Sequence, residues 1–458
     1  MKKVLLINCN FCSDPYPVFP LGLAHVASAL KNAMFEVCML DLMFDDLGLE
    51  AVIKRFQPDF IGISIRNIDD VRVSDTKVFL PDYQECVSRI KSVTNVPVIL
   101  GGSGFSIFPQ QILRLTGADF GITGEAEIGI VHLLELLSGD PSPGPELLIN
   151  IAGLVFREAD TIVVNPKVNI DLKTICRPLI EEKILKNYLR KSSMACVQTQ
   201  RGCPYSCIYC SYPLIEGCKV RFRDPVEIVE DFDRAIELGA RYIYIVDSVF
   251  NISEDHITGV CNQLLRRNVR VEWGCFLRPA AISSESMKLM ARAGLKHIEF
   301  GSDSFCDEVL TEYGKKFTFE DILSSSELAR KENVHYAHFL ILGGPGETES
   351  TMHISFCNSG YLKQTVIYPF LGMRLFPGTD LHRRAIREKV VREDQSLLEP
   401  TFYLSPEISV EKAELLLRNF QNQSPRWIFE QRIPQQQAVI ERLRARGATG
   451  PLWEFLAE

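Results

Sequence analysis

Three cysteines stand at one short interval in the run Arg201-Gly202-Cys203-Pro204-Tyr205-Ser206-Cys207-Ile208-Tyr209-Cys210. Thiolates are soft ligands, and three crowded this closely in a reducing compartment must hold a metal centre, with iron–sulfur clusters and zinc as the two candidates. Three is one short of a full set for either. A cubane four-iron cluster held by Cys203, Cys207 and Cys210 leaves its fourth iron open to a small molecule, which makes a site for chemistry and not for electron storage alone. Zinc would take Cys218 as its fourth ligand, although structural zinc sites usually pair two short cysteine knuckles and no second knuckle is present.

The spacing, with aromatic Tyr209 directly before the last cysteine, resembles the signature of the radical S-adenosylmethionine (SAM) superfamily. That resemblance implies a fourth iron chelating the amino and carboxylate groups of SAM, with Tyr209 near the adenine.

Composition bounds the setting of such a site. With 458 residues, 46% of them hydrophobic, the chain has material for about three domains, each with a sizeable core. The formal net charge is −8, with acids and bases interspersed. No basic run supplies the field that nucleic-acid binding requires, so Arg266-Arg267 and the stretch Arg442 to Arg446 read as solvated helix faces. The start, Met1-Lys2-Lys3-Val4-Leu5-Leu6-Ile7, has too few apolar residues for a signal peptide and reads as a first strand. No apolar run is long enough to cross a membrane. Fourteen scattered cysteines suit a reducing interior, and the expected location is cytoplasmic.

Elements that could position the cysteines follow from periodicity. Up to residue 140, short strands at Val4 to Ile7, Glu36 to Leu40, Phe60 to Ile65, Val98 to Leu100 and Phe120 to Thr123 alternate with helical spacing, as in Leu21, Leu23, Ala24, Ala27 and Leu30. Five such strands predict an α/β, doubly wound, Rossmann-like parallel sheet. Ligands of these sheets bind beyond the carboxyl ends of the strands. The loops expected there carry Pro20-Leu21-Gly22, then Ser64-Ile65-Arg66-Asn67, then Gly101-Gly102-Ser103-Gly104, then Gly124-Glu125-Ala126-Glu127. Glycine pairs allow close backbone approach to a bulky ligand, which could be a flavin or a nucleotide, or to nothing beyond the fold itself. The Gly-x-Gly-x-x-Gly fingerprint of a dinucleotide site is absent.

Residues 141 to 193 read as a linker with a small hairpin at Gly153 to Arg157 and Thr161 to Val164. Strands at 195–200, 242–247, 270–277, 297–302, 335–342 and 366–376 then alternate with helices such as Asp224 to Leu238 and Ser283 to Ala293. Asp224 caps and Pro225 opens the first of these. Six rounds over residues 194–379 predict a partial (β/α)6 barrel of the TIM type, with chemistry at the carboxyl ends of its strands. Asp247-Ser248, Arg278, Glu299 to Asp303 and Gly343-Gly344-Pro345-Gly346-Glu347 fall at those ends, where each could instead cap the following helix. Residues 380–458 read as a helical C-terminal region, with Trp453 as a packing anchor.

With the cysteine motif downstream, the order Pro-Leu-Gly-Leu, Gly-Gly-Ser-Gly, Gly-Glu-Ala-Glu resembles the cobalamin-binding domain that precedes many radical SAM cores. The resemblance implies cobalamin contacts at Pro20, Gly22, Ser64, Arg66, Asn67, Gly101, Gly102, Ser103, Gly104, Gly124 and Glu125. The Asp-x-His-x-x-Gly motif that supplies histidine to cobalt is missing, and His25 falls inside the first helix. Arg66 and Asn67 are therefore expected beneath the corrin. SAM contacts are implied at Tyr209, Asp247, Arg278, Glu299, Gly343, Gly344 and Pro345, and Asp247-Ser248 occupies the place of the family's Gly-Gly-Glu.

The whole chain thus looks like the cobalamin-binding radical SAM proteins, and Arg201 to Glu216 with Val246 to Asn251 resembles a branch linked with lipid biosynthesis. The implied activity is methyl transfer from methylcobalamin to an unactivated carbon of a small molecule, opened by a 5'-deoxyadenosyl radical from SAM. A flavodoxin- or ferredoxin-type reductant is the implied partner. The alternatives are cyclisation, ring rearrangement or oxidation without methyl transfer, and a cobalamin or redox sensor without turnover.

Overall fold

The structure is a computed structural model and describes residues 1–12, 16–45, 47–429 and 433–456. The first sheet is built from β1 (Lys3–Asn8), α1 (Leu21–Asn32), β2 (Glu36–Asp41), α2 (Leu49–Phe56), β3 (Phe60–Ser64), α3 (Leu80–Val93), β4 (Val98–Gly101), the short α4 (Ser103–Ile107), α5 (Pro109–Thr116), β5 (Phe120–Ile122) and α6 (Glu127–Gly139). Strand order β2-β1-β3-β4-β5 is parallel throughout. Strands β1 and β3 are buried along nearly their whole length, as a sheet covered on both faces demands. The order reverses between β1 and β3, and the loops leaving their carboxyl ends border the crevice where such sheets hold ligands.

After α7 (Pro145–Leu148), β6 (Leu154–Glu158) and β7 (Thr161–Val164) form the expected hairpin. It is not a free linker element. β6 pairs antiparallel with β5, extending the sheet to seven strands and covering an edge that would otherwise be open. Alternation in so short a hairpin says which face is apolar but not which edge it will find. Helix α8 (Glu182–Ser192) then packs back on the first sheet, where the Tyr188 hydroxyl donates to Asp41 Oδ2 at 2.5 Å and accepts from Asn8 Nδ2 at 3.1 Å.

The barrel strands are β8 (Met194–Val197), followed by β9 (Gln200–Arg201), α9 (Tyr212–Glu216), β10 (Arg221–Phe222) and α10 (Pro225–Glu237), then β11 (Tyr242–Ile245), α11 (Glu254–Arg266), β12 (Glu272–Leu277), α12 (Ser284–Arg292), β13 (Leu295–Asp303), α13 (Asp307–Glu312), α14 (Phe319–Lys331), β14 (His335–Leu342), α15 (Glu349–Ser359) and β15 (Thr365–Leu371). Six parallel strands lie in the order β8-β11-β12-β13-β14-β15, the incomplete barrel the periodicity predicts. Asp224 caps α10 through the Val226 N–H, with Pro225 in the first turn. The predicted first strand, 195–200, breaks in two, because β9 turns away to pair with β10 and carries the chain toward Cys203. The long last strand also breaks: Gly372, at φ +72°, separates β15 from β16 (Met373–Arg374).

The C-terminal region adds α16 (Asp380–Arg387), β17 (Phe402–Tyr403) on β16, α17 (Val410–Gln423) and α18 (Ile433–Ala445). One apolar core runs from Leu6, Ala24 and Leu134 of the first sheet to Ile243, Trp273 and Phe300 of the barrel, so the two units share their interior. Among the described residues no helix is long and apolar enough to cross a membrane.

The Gly-Gly-Ser-Gly turn shows why glycine sits there. Gly102 has φ +100°, and a Cβ on it would collide with the Ile65 carbonyl; one on Gly104 would sit 2.8 Å from the Arg66 oxygen. The close approach is made by the neighbouring loop of the sheet itself. Gly22, by contrast, faces open space. Gly102→Ala is expected to destabilise the protein by about 2–4 kcal/mol in denaturant unfolding, whereas Gly22→Ala stays within about 0.5 kcal/mol of the parent.

Candidate active site

The cysteine loop is pinned on several sides. Gly202, at φ +90°, donates its N–H to Glu216 Oε2 at 3.1 Å, and Cys203 N donates to Gly217 O at 3.1 Å. Ile208 N donates to Tyr313 O at 3.2 Å, and Leu381 N to Ile208 O at 2.8 Å. Gly314 lets α13 end against the loop, since a Cβ there would lie 2.7 Å from Ser206 O. Cys203 is buried, while Cys207 and Cys210 are half-buried. Burial pushes the Cys203 thiol up, and carries Cys210 up to about 12 with Cys207 and Cys203 adding to it. Thiols so disposed ionise when a cation takes them, which is the donor chemistry of a metal centre.

The zinc alternative does not fit. Among the described residues no three His, Cys, Asp or Glu side chains converge closely enough to hold a single ion. Cys218, its proposed fourth ligand, is exposed. A multi-iron cluster spreads its ligands over several metals, and the three-cysteine loop fits it.

Behind the cysteines lies a charged group that spacing did not reveal. The Tyr209 hydroxyl donates to Asp303 Oδ2 at 2.5 Å, Lys315 pairs with the same carboxylate, and Lys315 Nζ lies 3.2 Å from the Tyr209 oxygen. Burial works to lower the Lys315 pKa, but Asp303 and the Cys207 sulfur raise it more, so the ammonium is held charged. Tyr209 is thereby fixed in orientation. Asp303 takes φ +61° at an irregularity in the β13–β14 register. Lys315 sits in the connection between α13 and α14, where sequence offers no periodicity to flag it.

Other expected residues are tied to neighbouring parts of the chain. Asp247 is fully enclosed, accepting from Thr199 N at 2.7 Å, Thr199 Oγ1 at 2.5 Å and Gln200 N at 3.2 Å, so it shapes the chain just before the cysteines. Arg278 stacks between Tyr205 of the cysteine loop and Phe317, at 4.6 and 5.1 Å from the ring centres. Gly343, Gly344 and Pro345 are buried: the Gly344 N–H donates to the Tyr313 hydroxyl at 3.1 Å, and a Cβ on Gly344 would meet Tyr313 and Met373. Glu125 receives Arg221 at 2.6 and 2.7 Å and the Ile170 N–H at 2.7 Å. Gly124, at φ +71°, lies under Lys167. His25 is buried in α1, 3.3 Å from the Cys176 carbonyl, and burial lowers its pKa to about 4. It takes no part in the cavity.

Between the two units lies a cavity of about 670 Å³. Cys12, Tyr16 and Arg66 with Asn67 line it from the switch-point loops of the first sheet, and Asp247, Ser248 and Glu299 line it from the barrel. Ser64 ends β3 two residues before Arg66, Ser103 Oγ donates to the Arg66 carbonyl at 3.1 Å, and Pro20 directly precedes α1. Gly101 leaves open room, the nearest atom to a Cβ being 3.8 Å away. Trp453 does more than anchor packing: it is buried, borders the cavity and donates Nε1–H to Glu299 Oε1 at 3.3 Å. That contact joins residues far apart in the chain and leaves no local trace.

This is a two-unit chain with a tri-cysteine barrel facing the ligand end of a doubly wound sheet. The B12 binding domain family model matches residues 11–134, and that of the radical SAM superfamily residues 197–356. The chain belongs to the cobalamin-binding radical SAM proteins, whose cofactors are a 4Fe–4S cluster, SAM and cobalamin. It is similar to the tryptophan 2-C-methyltransferase of Streptomyces laurentii, at 25% identity over 82% of this chain and 73% of that one. The hopanoid C-3 methylase of Methylococcus capsulatus is 24% identical over 72% of this chain and 64% of its own. In fold it matches the radical SAM methyltransferase TsrM of Kitasatospora setae, solved with cobalamin and a [4Fe-4S] cluster, with TM-score 0.88, 22% identity and coverage of 100% and 98% of the two chains.

Burial raises the Glu299 pKa from 4.5 to about 7. The unfolded chain therefore ionises this acid at lower pH than the folded one does, and the folded state loses stability as pH rises from about 4.5 to 7. Glu299→Gln, which cannot ionise, is expected to gain on the parent by about 3 kcal/mol across that window. Urea unfolding at pH 5 and pH 7.5 checks this, and an unchanged difference between the two proteins would contradict it.

Proposed function

We propose that this protein is a cobalamin-dependent radical SAM methyltransferase acting on an unactivated carbon of a small molecule. The observation that carries this reading is the shared cavity: switch-point loops of a B12-type sheet form one wall, and the carboxyl ends of the tri-cysteine barrel form the other. A guest there is within reach of both cofactor sites at once.

In this reading Cys203, Cys207 and Cys210 hold the cluster, and Tyr209, oriented by Asp303 and Lys315, borders the adenine of SAM. Arg66 and Asn67 lie beneath the corrin, in loops that carry no histidine for the metal. Pro20, Gly22, Ser64, Gly101 and Ser103 supply the remaining surface on that side. When bound, the cluster with SAM supplies one-electron chemistry at a carbon, and cobalamin supplies a transferable methyl group. The chain aligns these groups and excludes water, which the apolar lining of the cavity favours. A strong reductant of the flavodoxin or ferredoxin type supplies the electron. The likeness to the hopanoid methylase is compatible with a lipid substrate, but a cavity of about 670 Å³ favours a compact guest.

The test is anaerobic incubation of reconstituted protein with deuteromethyl-SAM, a low-potential reductant and extract of the source cells, followed by mass analysis. A product carrying the labelled methyl is expected, and Cys203→Ala should lose both the product and most of the bound iron. An unlabelled new product would replace methyl transfer with ring chemistry or oxidation. SAM left intact under strongly reducing conditions would leave a sensor.

A further inference from the structure

The floor of the cavity has its own chemistry. Glu299 projects from β13 into the barrel and is buried, yet no Lys, Arg or His among the described residues pairs with it. Its polar neighbours are the Trp453 N–H, at 3.3 Å, and the Tyr244 hydroxyl, two uncharged groups whose pull on the proton is outweighed by burial. Around the acid stand aromatic rings: Phe276 meets Tyr244 edge-on at 5.5 Å, and Phe339 stacks on Tyr368 at 5.2 Å and 18°. Phe276 is 37% exposed and Phe370 39%, although both belong to strands of the barrel. Large apolar side chains left open to a chamber, around a buried acid with no cation paired to it, describe a binding site and not a packed core.

The physics selects the guest. A carboxyl removed from water without a cation is costly in its ionised form, and the cost falls once a positive group enters the same enclosure. Aromatic faces attract cations through their quadrupoles, and the attraction grows when water is absent. An anionic guest would meet repulsion from Glu299, and a neutral hydrocarbon would leave the acid unsatisfied.

Resting on the methyltransferase reading above, we infer that the substrate of this enzyme carries a protonated nitrogen, seated among Tyr244, Phe276, Phe339 and Tyr368 and paired with Glu299. Glu299 is here a substrate-binding residue and not a SAM contact. Because burial holds its proton to about pH 7, arrival of a cationic guest drives that proton to solvent, giving the site a signature that simple apolar binding lacks.

The probe is phenethylamine, compared with neutral 2-phenylethanol and anionic hydrocinnamate, by titration calorimetry on the anaerobically reconstituted full chain. The amine is expected to bind about tenfold or more tighter than the alcohol, and to release protons at pH 7 in buffers of differing ionisation heat. In Glu299→Gln the preference should fall to about threefold or less, without proton release and with the alcohol bound as before. Equal binding of amine and alcohol by the parent, a preference for hydrocinnamate, or an amine preference that survives in the variant overturns the inference. Should the variant fail to fold, the parent's amine-to-alcohol ratio and its proton release decide the matter. Iron, sulfide and cobalamin binding are measured on the same samples. A chain that holds all three without amine selectivity sinks this inference alone, whereas one that holds none sinks the methyltransferase reading and leaves the selectivity result standing.

Discussion

Two buried ion pairs hold the catalytic arrangement together. Arg201, two residues before the first cysteine of the motif, reaches Glu127 at 2.7 Å, and Arg221, its cross-strand partner in the β9–β10 ribbon, grips Glu125 at 2.6 Å. None of the four side chains is more than 11% exposed. Glu127 opens α6, where the helix dipole favours a negative charge, and Arg201 keeps its pKa below the ordinary carboxylate value although burial acts the other way. Buried pairs of this kind add little net stability compared with apolar packing, but they tolerate only one geometry. The ribbon leading to the cysteines therefore has one permitted position against the ligand end of the first sheet.

The same constraint explains why many residues expected to touch cofactors also touch each other. The loop that carries the three cysteines is not left to flex, and neighbouring strand ends contribute ties. Asp247 binds the backbone before the loop, Arg278 stacks on Tyr205 within it, and Tyr313 accepts from Ile208 N through its carbonyl. A third buried pair, Arg374 with Asp69 at 2.9 Å, joins β16, just past the barrel's last strand, to the loop after β3. Preorganisation of this order is what reactive chemistry requires of its scaffold.

Periodicity carried the fold well because both units are layered parallel sheets whose strands are short, apolar runs between amphipathic helices. The cysteine spacing was legible because metal ligation demands fixed residues within one loop. What was hidden depends on contacts between distant segments. The hairpin at 154–164 reads the same whether it floats or pairs with β5. The roles of Gly102 and Gly344 depended on what lies opposite each, and in both cases that is protein. Asp303 and Lys315 gain meaning only from lying beside Tyr209, and Trp453 only from reaching Glu299 across 154 positions of chain.

Three acids at or near the barrel mouth have pKa values raised to about 7, and burial is the leading cause in each. Their surroundings nevertheless separate their tasks. Asp247 receives three hydrogen bonds from Thr199 and Gln200, so its charge, when present, is answered by the chain. Glu347 accepts from Thr351 Oγ1 at 2.7 Å and lies 3.4 Å from Gly343 N, closing its own loop. Glu299 has only the Trp453 indole and the Tyr244 hydroxyl beside it, both neutral side chains, and no backbone N–H. An acid tied to its own backbone serves the fold, whereas one met only by two neutral side chains beside an open aromatic chamber suits a group that arrives from outside.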